Sequence, residues 1–321
     1  MPARPLKSLI LAATALAALA PAALAAEYPE RPVRILVSFP PGGSSDLVAR
    51  LLAEKLGAAL GQQFVVENKP GAAGTVAATE LKNADNDGYT LMLSNLTPFN
   101  VAPTSFPDTP YDPVEDFTHI GYIGAVHLGM FVSPELETPD MAAFVEKAKA
   151  EPGMLDYGSS GVGSWGHVVA VAFENEAGVE LSHIPYKGSG PMRLDFRANV
   201  IPVIFDAVPQ NLPAVEEGTA LPLAVSSPER LETLPDTPTF TELGYDIVAE
   251  NWLGISGPAG VDPEIVSTLQ DALDTALASD DVVAQFDTWG IVGGKMTSEE
   301  FTDYVAEGVA EWAPLVKQAN Q

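Results

Sequence analysis

Val33-Arg34-Ile35-Leu36-Val37-Ser38-Phe39-Pro40-Pro41-Gly42-Gly43-Ser44-Ser45-Asp46 is the stretch that decides the fold. Its first half, residues 33–39, is apolar and β-branched, the pattern of a buried strand. Two prolines and two glycines stop that strand. Leu47, Val48, Leu51, Leu52, Leu56 and Leu60 then recur at helical spacing, which predicts a helix over 46–60. Beyond it, residues 64–67 read as a strand, 75–83 as a helix and 89–94 as a strand. This β-α-β-α-β order implies a parallel sheet with helices on both faces.

The alternation resumes after a proline-rich stretch at 98–113, which reads as ordered loop. Residues 120–133 form a long extended segment. Helices follow at 141–150, 168–177 and 191–198, interleaved with strands at 155–157, 183–186, 200–206 and 221–226. Residues 247–256 are extended again, and helices at 263–279, 281–289 and 298–317 close the chain. The sequence predicts an α/β protein of two lobes, each a mainly parallel sheet flanked by helices, joined by the extended crossings at 120–133 and 247–256. The boundaries that follow are 27–126 plus 252–321 for the first lobe and 127–251 for the second.

Residues 1–26 stand apart. Arg4 and Lys7 precede an apolar run at 9–19, and small residues ending Ala23-Leu24-Ala25 lead into Glu27. This reads as a secretory signal cleaved after Ala25 or Ala26. A membrane anchor is the weaker reading, because the run is broken at Pro21 and falls short of the roughly 20 residues of a bilayer span. The chain has no cysteine, which excludes disulfides and lipid attachment through a cysteine. An exported chain with neither lipid nor span points to the periplasm. About 295 mature residues bury a core without staples.

The formal net charge is −27, and because the leader carries two basic residues and no acid, the mature chain stands at −29. Nucleic acid and anionic membrane surfaces repel such a chain, so neither is expected as a partner. No Lys or Arg occurs between Lys82 and Lys147 or between Arg230 and Lys295. The acids are scattered through apolar segments, which reads as a solvated acidic surface and names no ligand.

Two glycine loops hold the candidate chemistry. In the first, Gly42 and Gly43 permit positive φ and a close approach of backbone to ligand, and Ser44, Ser45 and Asp46 are candidate helix caps. Free N–H groups at a helix start attract an anion without any Lys or Arg. The same residues equally make a tight turn with a cap. Gly158-Ser159-Ser160-Gly161-Val162-Gly163-Ser164-Trp165-Gly166-His167 holds the equivalent place in the second lobe. It contains a literal G-x-G-x-x-G from Gly161 to Gly166, between a strand and a helix, as a dinucleotide site requires. A soluble nicotinamide cofactor does not suit an exported protein, so a second anion nest facing the first is the better reading. Asn68-Lys69-Pro70-Gly71-Ala72-Ala73-Gly74 reads either as rim donors for the first lobe or as a plain strand-to-helix turn.

Trp165 lies inside the second loop, where a large ring has little core to fill, and is a candidate ligand contact. His167 is either a ligand donor or a local cap. Asp206 ends the apolar run 203–205 at the cleft edge, as an orienting group or a strand-end cap. Trp252 reads as packed at the hinge. A hydrolase would need a nucleophile elbow, and no G-x-S-x-G occurs. His119, His127, His167 and His183 show no metal-binding spacing.

The motifs also stand in a recognisable order. Tyr28-Pro29-Glu30-Arg31-Pro32-Val33 precedes the first loop, and Val66-Glu67-Asn68-Lys69-Pro70-Gly71, Asp87-Gly88-Tyr89-Thr90-Leu91 and Tyr111-Asp112-Pro113 follow it. Gly161-Val162-Gly163-Ser164, Pro185-Tyr186-Lys187-Gly188, Leu234-Pro235-Asp236-Thr237-Pro238-Thr239 and Gly257-Pro258-Ala259-Gly260 complete the set. Together they resemble the Bug family, the periplasmic solute-binding receptors of tripartite tricarboxylate transporters.

The resemblance implies a type II-like periplasmic binding fold that closes about its hinge on a small organic acid. That acid is a di- or tricarboxylate or an aromatic carboxylate. The receptor hands it to two membrane permease subunits as a monomer, with no cofactor, no metal and no bond made or broken; the alternatives are a secreted hydrolase or a ligand sensor reporting to a sensor kinase or chemoreceptor. By position, Phe39, Pro41, Gly42, Gly43, Ser44 and Asp46 fall on one side of the ligand. Ser159, Ser160, Gly161, Val162, Gly163, Ser164 and His167 fall on the other, and the two loops grip one carboxylate, partly through water. Asn95 and Asp206 occupy further cleft positions. The stretch 192–200 replaces the small, glycine-rich turn usual in the family, and Trp165 sits where members vary.

The leader generates the first prediction. Protein recovered from an expressing bacterium is periplasmic and begins at Ala26 or Glu27 on N-terminal sequencing; an intact Met1 in a membrane fraction overturns the export reading.

Overall fold

A computed structural model gives the structure of the protein and describes residues 28–42 and 44–319. The leader read over 1–26 and Gly43 lie outside the described residues, as does the side chain of Ser44. The first five elements are β1 (Val33–Val37), α1 (Ser44–Leu60), β2 (Phe64–Asn68), α2 (Thr75–Lys82) and β3 (Thr90–Asn95). β1 lies between β2 and β3 and is parallel to both, with Val33 opposite Phe64 and Arg34 opposite Thr90. Side chains alternate across a strand. Val33, Ile35 and Val37 therefore pack in one cluster with Val48, Leu52 and Leu56 of α1, while Leu36 packs with Ala77, Ala78 and Leu81 of α2. Helices cover both faces, so the strand is apolar at every position but Arg34.

The proline-rich stretch differs from its reading as loop. Residues Thr97–Val101 form a π-helical turn that runs into the short helix α3 (Ala102–Ser105). Pro98 and Pro103 fall at first-turn positions, where a missing N–H costs nothing. Tertiary contacts then hold the turn: Asn100, fully buried, donates to the Val305 carbonyl at 2.9 Å and accepts the Trp252 indole N–H at 2.8 Å.

The next elements are β4 (Phe117–Val132), α4 (Met141–Ala150), β5 (Asp156–Ser159), α5 (Trp165–Ala177), β6 (Ser182–Pro185), α6 (Ser189–Arg197), β7 (Val203–Ala207), α7 (Val208–Glu216) and β8 (Leu221–Val225). The chain ends with β9 (Glu250–Pro258), α8 (Pro263–Leu277), α9 (Asp280–Trp289), β10 (Ile291–Gly293) and α10 (Ser298–Ala319). Helix α7 and strand β10 were not read from the sequence. α7 carries Pro209 in its first turn and Pro213 inside, and β10 spans three residues, too few for a period to show.

The strand order is β2-β1-β3-β9-β4-β7-β5-β6, with β8 and β10 also paired to β4. β4 and β9 are the two long crossings. Residues 117–127 of β4 pair antiparallel with β9, whereas 128–132 pair with β7 and β8. β5 lies between β6 and β7, parallel to both, and so repeats the arrangement of β1. Ser226 ties the crossings together. Its hydroxyl donates to the Ala249 carbonyl at 2.6 Å and accepts the Leu128 N–H at 3.0 Å.

Trp252, 1% exposed, packs in the crossing against Phe301 and Phe99. Gly254 lies two residues on, and a Cβ there would collide with the Phe301 ring and come within 3.0 Å of the Gly121 carbonyl. Gly254→Ala should therefore overpack the crossing and lower stability by about 1–3 kcal/mol. Urea unfolding reads this directly, and an unchanged midpoint would show that β4 and β9 separate more easily than their packing implies.

Candidate functional site

The first loop leaves the carboxyl end of β1 and is shaped by one buried carboxylate. Asp46, 3% exposed, accepts the Gly42 N–H at 2.9 Å, the Asn68 side-chain amide at 2.9 Å and the Arg50 guanidinium at 2.9 and 3.0 Å. The Asn68 amide also donates to the Phe39 carbonyl at 3.0 Å, so one side chain closes both ends of the turn. Gly42 has φ +84°, the left-handed region that favours glycine. The Arg50 bonds first, then the Gly42 N–H and Asn68, outweigh burial and hold the Asp46 carboxyl down at about 2. Phe39 is half-buried, while Pro41 and Gly42 are exposed at the tip. Asn95 is buried behind the loop, donating to the Ser38 hydroxyl at 3.2 Å and accepting the Thr97 N–H at 3.2 Å.

The second loop leaves the carboxyl end of β5 and is shaped by neutral groups. Ser164 caps α5 by accepting the His167 N–H at 3.4 Å, which leaves its own O–H free to donate. Nδ1 of His167 accepts the Gly163 N–H at 3.0 Å, which requires an unprotonated Nδ1. The His167 ring stacks on His183 at 3.8 Å between centroids, and His183 stacks in turn on Tyr157 at 4.9 Å. Burial lowers both histidines, His183 to about 4, so both rings are neutral near pH 7. Nε2 of His183 lies 2.7 Å from the Ser159 hydroxyl, which donates to the Gly161 carbonyl at 2.9 Å. Each ring thus fixes one arm of the loop. The N–H groups of Val162, Trp165 and Gly166 meet no partner among the described residues, as first-turn amides commonly do. Gly166 admits no side chain, since a Cβ would collide with the Phe205 carbonyl of β7.

Trp165 is half-buried against the main core cluster, and its indole N–H is buried without a partner among the described residues. The core therefore reaches the ring, contrary to the expectation that it has little to fill. Ser160, Gly161 and Gly163 are half-buried, and Val162 is 64% exposed at the tip. Asp206 is buried at the carboxyl end of β7, accepting Asn211 Nδ2 at 2.9 Å and Arg193 Nη1 at 3.1 Å. Gly158 pairs with Ile204, so two residues further on Ser160 and Asp206 leave the sheet at the same edge. Arg193, Asn211 and His183 were not read as site residues, because their parts depend on which helix and strand faces meet. No group of His, Asp and Glu that could hold a metal occurs among the described residues. A 540 Å³ cavity between α8, α9 and β10 is lined by no residue of either loop.

Two parallel α/β units joined by antiparallel crossings, with a glycine loop at the carboxyl end of each central strand, make up the periplasmic binding-protein fold. The chain belongs to the tripartite tricarboxylate transporter family receptors, whose family model matches residues 48–321. It is 34% identical to the protein BugT of Bordetella pertussis over 295 residues, covering 91% of this chain and 90% of that one. A solved periplasmic transporter superposes with a TM-score of 0.77 at 35% identity, over 90% of this chain and 97% of that one. An R. palustris protein solved with adipate gives a TM-score of 0.77 at 31% identity, over 91% and 98%. These are periplasmic solute-binding receptors, the family to which the Bug motifs point.

Asp46 generates a pH prediction. Its folded pKa lies below the ordinary 3.8, so its contribution to stability is full above pH 3.8 and is lost as the pH falls toward about 2. Asp46→Asn should cost about 2 kcal/mol near pH 7, as hydrogen bonds to a charged group do. In urea unfolding the gap from the parent should close as the acid limit is approached; a gap that stays constant would mean the charge is not what holds the loop.

Proposed function

We propose that this chain is a periplasmic receptor that captures a small organic carboxylate between its lobes and delivers it to the two membrane subunits of a tripartite tricarboxylate transporter. The observation that carries the reading is the glycine loop at the carboxyl end of β5, whose Val162, Trp165 and Gly166 N–H groups meet no partner among the described residues and whose Ser164 O–H is left to donate. The first lobe is 27–126 plus 252–321 and the second is 127–251, the receptor works as a monomer, and residues 1–26 are its cleaved export signal.

The ligand carboxylate lies against the first-loop backbone at Phe39, Pro41, Gly42, Gly43 and Ser44 and is met by Ser159, Ser160, Gly161, Val162, Gly163 and Ser164. Asp46, Asn95 and His167 hold these loops in shape. Trp165 turns its ring edge to the ligand. Closure about β4 and β9 buries the acid, and the receptor itself makes and breaks no bond.

A thermal-shift series of carboxylates, with adipate included because a relative was solved with it, tests the reading. Ligand at 100 times its dissociation constant stabilises the fold by about 2.7 kcal/mol. Ser164→Ala removes a donor to a charged group and should weaken binding by about ten- to a hundredfold. Lys187→Ala, at an exposed position, should cost much less. Loss of binding in Lys187→Ala with Ser164→Ala unaffected would replace the neutral-donor site by a salt bridge.

A further inference from the structure

The two loops account for one carboxylate. A second charged group stands at the same edge of the second lobe, and the loops make no use of it. Helix α6 begins just past the carboxyl end of β6, and Arg193 lies about one turn into it. Helical side chains lean toward the helix N-terminus, which carries the guanidinium back to the edge from which the second loop leaves. There Nη1 meets Asp206 Oδ2 at 3.1 Å, while Asn211 donates to the same oxygen at 2.9 Å from α7. Asp206 is 7% exposed in its side chain but Arg193 is 29% exposed, so the pair is buried on one side and open on the other.

The contact is one-pronged. Among the described residues the guanidinium has no other partner, so Nε and Nη2 are left as donors. An Arg fork matches a carboxylate in two-pronged geometry, and here Asp206 takes only one prong. The strand carrying Ser160 is the direct neighbour of the strand carrying Asp206, a spacing of roughly 5 Å. A short diacid with one carboxylate on the loop donors spans that gap with the other.

We propose that Arg193 is the specificity residue of this receptor: its open edge takes the second carboxylate of a dicarboxylate whose first carboxylate lies on the glycine loops. Asp206 and Asn211 are its positioning residues. The proposal rests on the carboxylate-receptor reading above and narrows it to diacids.

The test is isothermal titration of the mature protein with two pairs of probes, adipate against hexanoate and succinate against butyrate. The parent should prefer each diacid to its monoacid. Arg193→Gln should weaken diacid binding by about ten- to a hundredfold and leave monoacid binding within about twofold, collapsing the preference. Arg193→Lys keeps the charge and loses the fork, so it should fall between the two, and it is read by the same ratio if Arg193→Gln fails to fold. A parent that binds monoacids as well as diacids, or a variant that keeps the diacid preference, overturns the role of Arg193 and leaves the receptor reading intact. A parent that binds none of the four and no other carboxylate overturns both.

Discussion

The antiparallel pairing of β4 with β9 is the constraint on which the rest of the structure depends. The two strands carry the chain from one half of the sheet to the other, and each is locked to the second half at Ser226. Register shifts at Gly121 and Gly124 let β4 bend away from a straight ladder while it still follows β9. The Phe301 ring fills the space left by Gly254, and Trp252 is pinned by Asn100 from the turn that follows β3. Helix α10 reinforces the same junction: it starts beside β4, where Ser298 donates to the His119 carbonyl, and ends with Gln318 paired to Asn175 of α5. Any movement of one half against the other must be absorbed within this aromatic packing.

Each central strand of the two halves ends in a glycine loop and a helix start, yet the loops are held by opposite means. Asp46 carries a charge, and Arg50, Gly42 and Asn68 consume it. His167 and His183 carry none, because burial keeps the stacked rings neutral. Neither solution leaves an uncompensated negative group in its loop. The His167 solution has a cost, since it takes the Gly163 N–H out of the available donors. Among the described residues, the Ser164 hydroxyl and the amides of Val162, Trp165 and Gly166 are still open to donate.

Much of this was legible in the sequence, and the limits have physical reasons. β1 and α1 were readable because one strand is buried on both faces and one helix keeps a long apolar period, signals that local sequence carries by itself. The glycine loops were readable because positive φ and close approach demand glycine wherever they occur, as at Gly42 and Gly166. The turn at Thr97–Val101 was not, because its order comes from Asn100 meeting Val305 and Trp252, more than 150 residues away. Asp46 was read as a cap and a ligand contact, but which partners its carboxylate meets depends on how closely Asn68 of β2 approaches the loop. The stretch 192–200 stood out as unusual without revealing why. Its role depends on the register of α6, which sets Met192 and Phe196 into the core and leaves Arg193 on the flank that reaches Asp206.

On the proposed reading, the strong negative charge of the chain sets a puzzle for a receptor of carboxylates, and magnitudes resolve it. Surface acids act through water and salt, where screening over about 8 Å removes most of their reach. A guanidinium or an oriented N–H in contact with a carboxylate acts at an effective dielectric nearer 20, where two unit charges 4 Å apart interact by about 4 kcal/mol rather than about 1. A few donors at contact therefore outweigh many acids at a distance. The Arg193–Asp206 pair refines this argument. An unpaired arginine facing the cleft would favour any anion; one already half-neutralised by Asp206 adds little for a group that does not touch it. On the proposed reading, the carboxylate that gains from Arg193 is the one that completes its fork. The acid beside the arginine is then part of the selectivity rather than a defect in it, because it withholds the cation from ligands that carry a single charge.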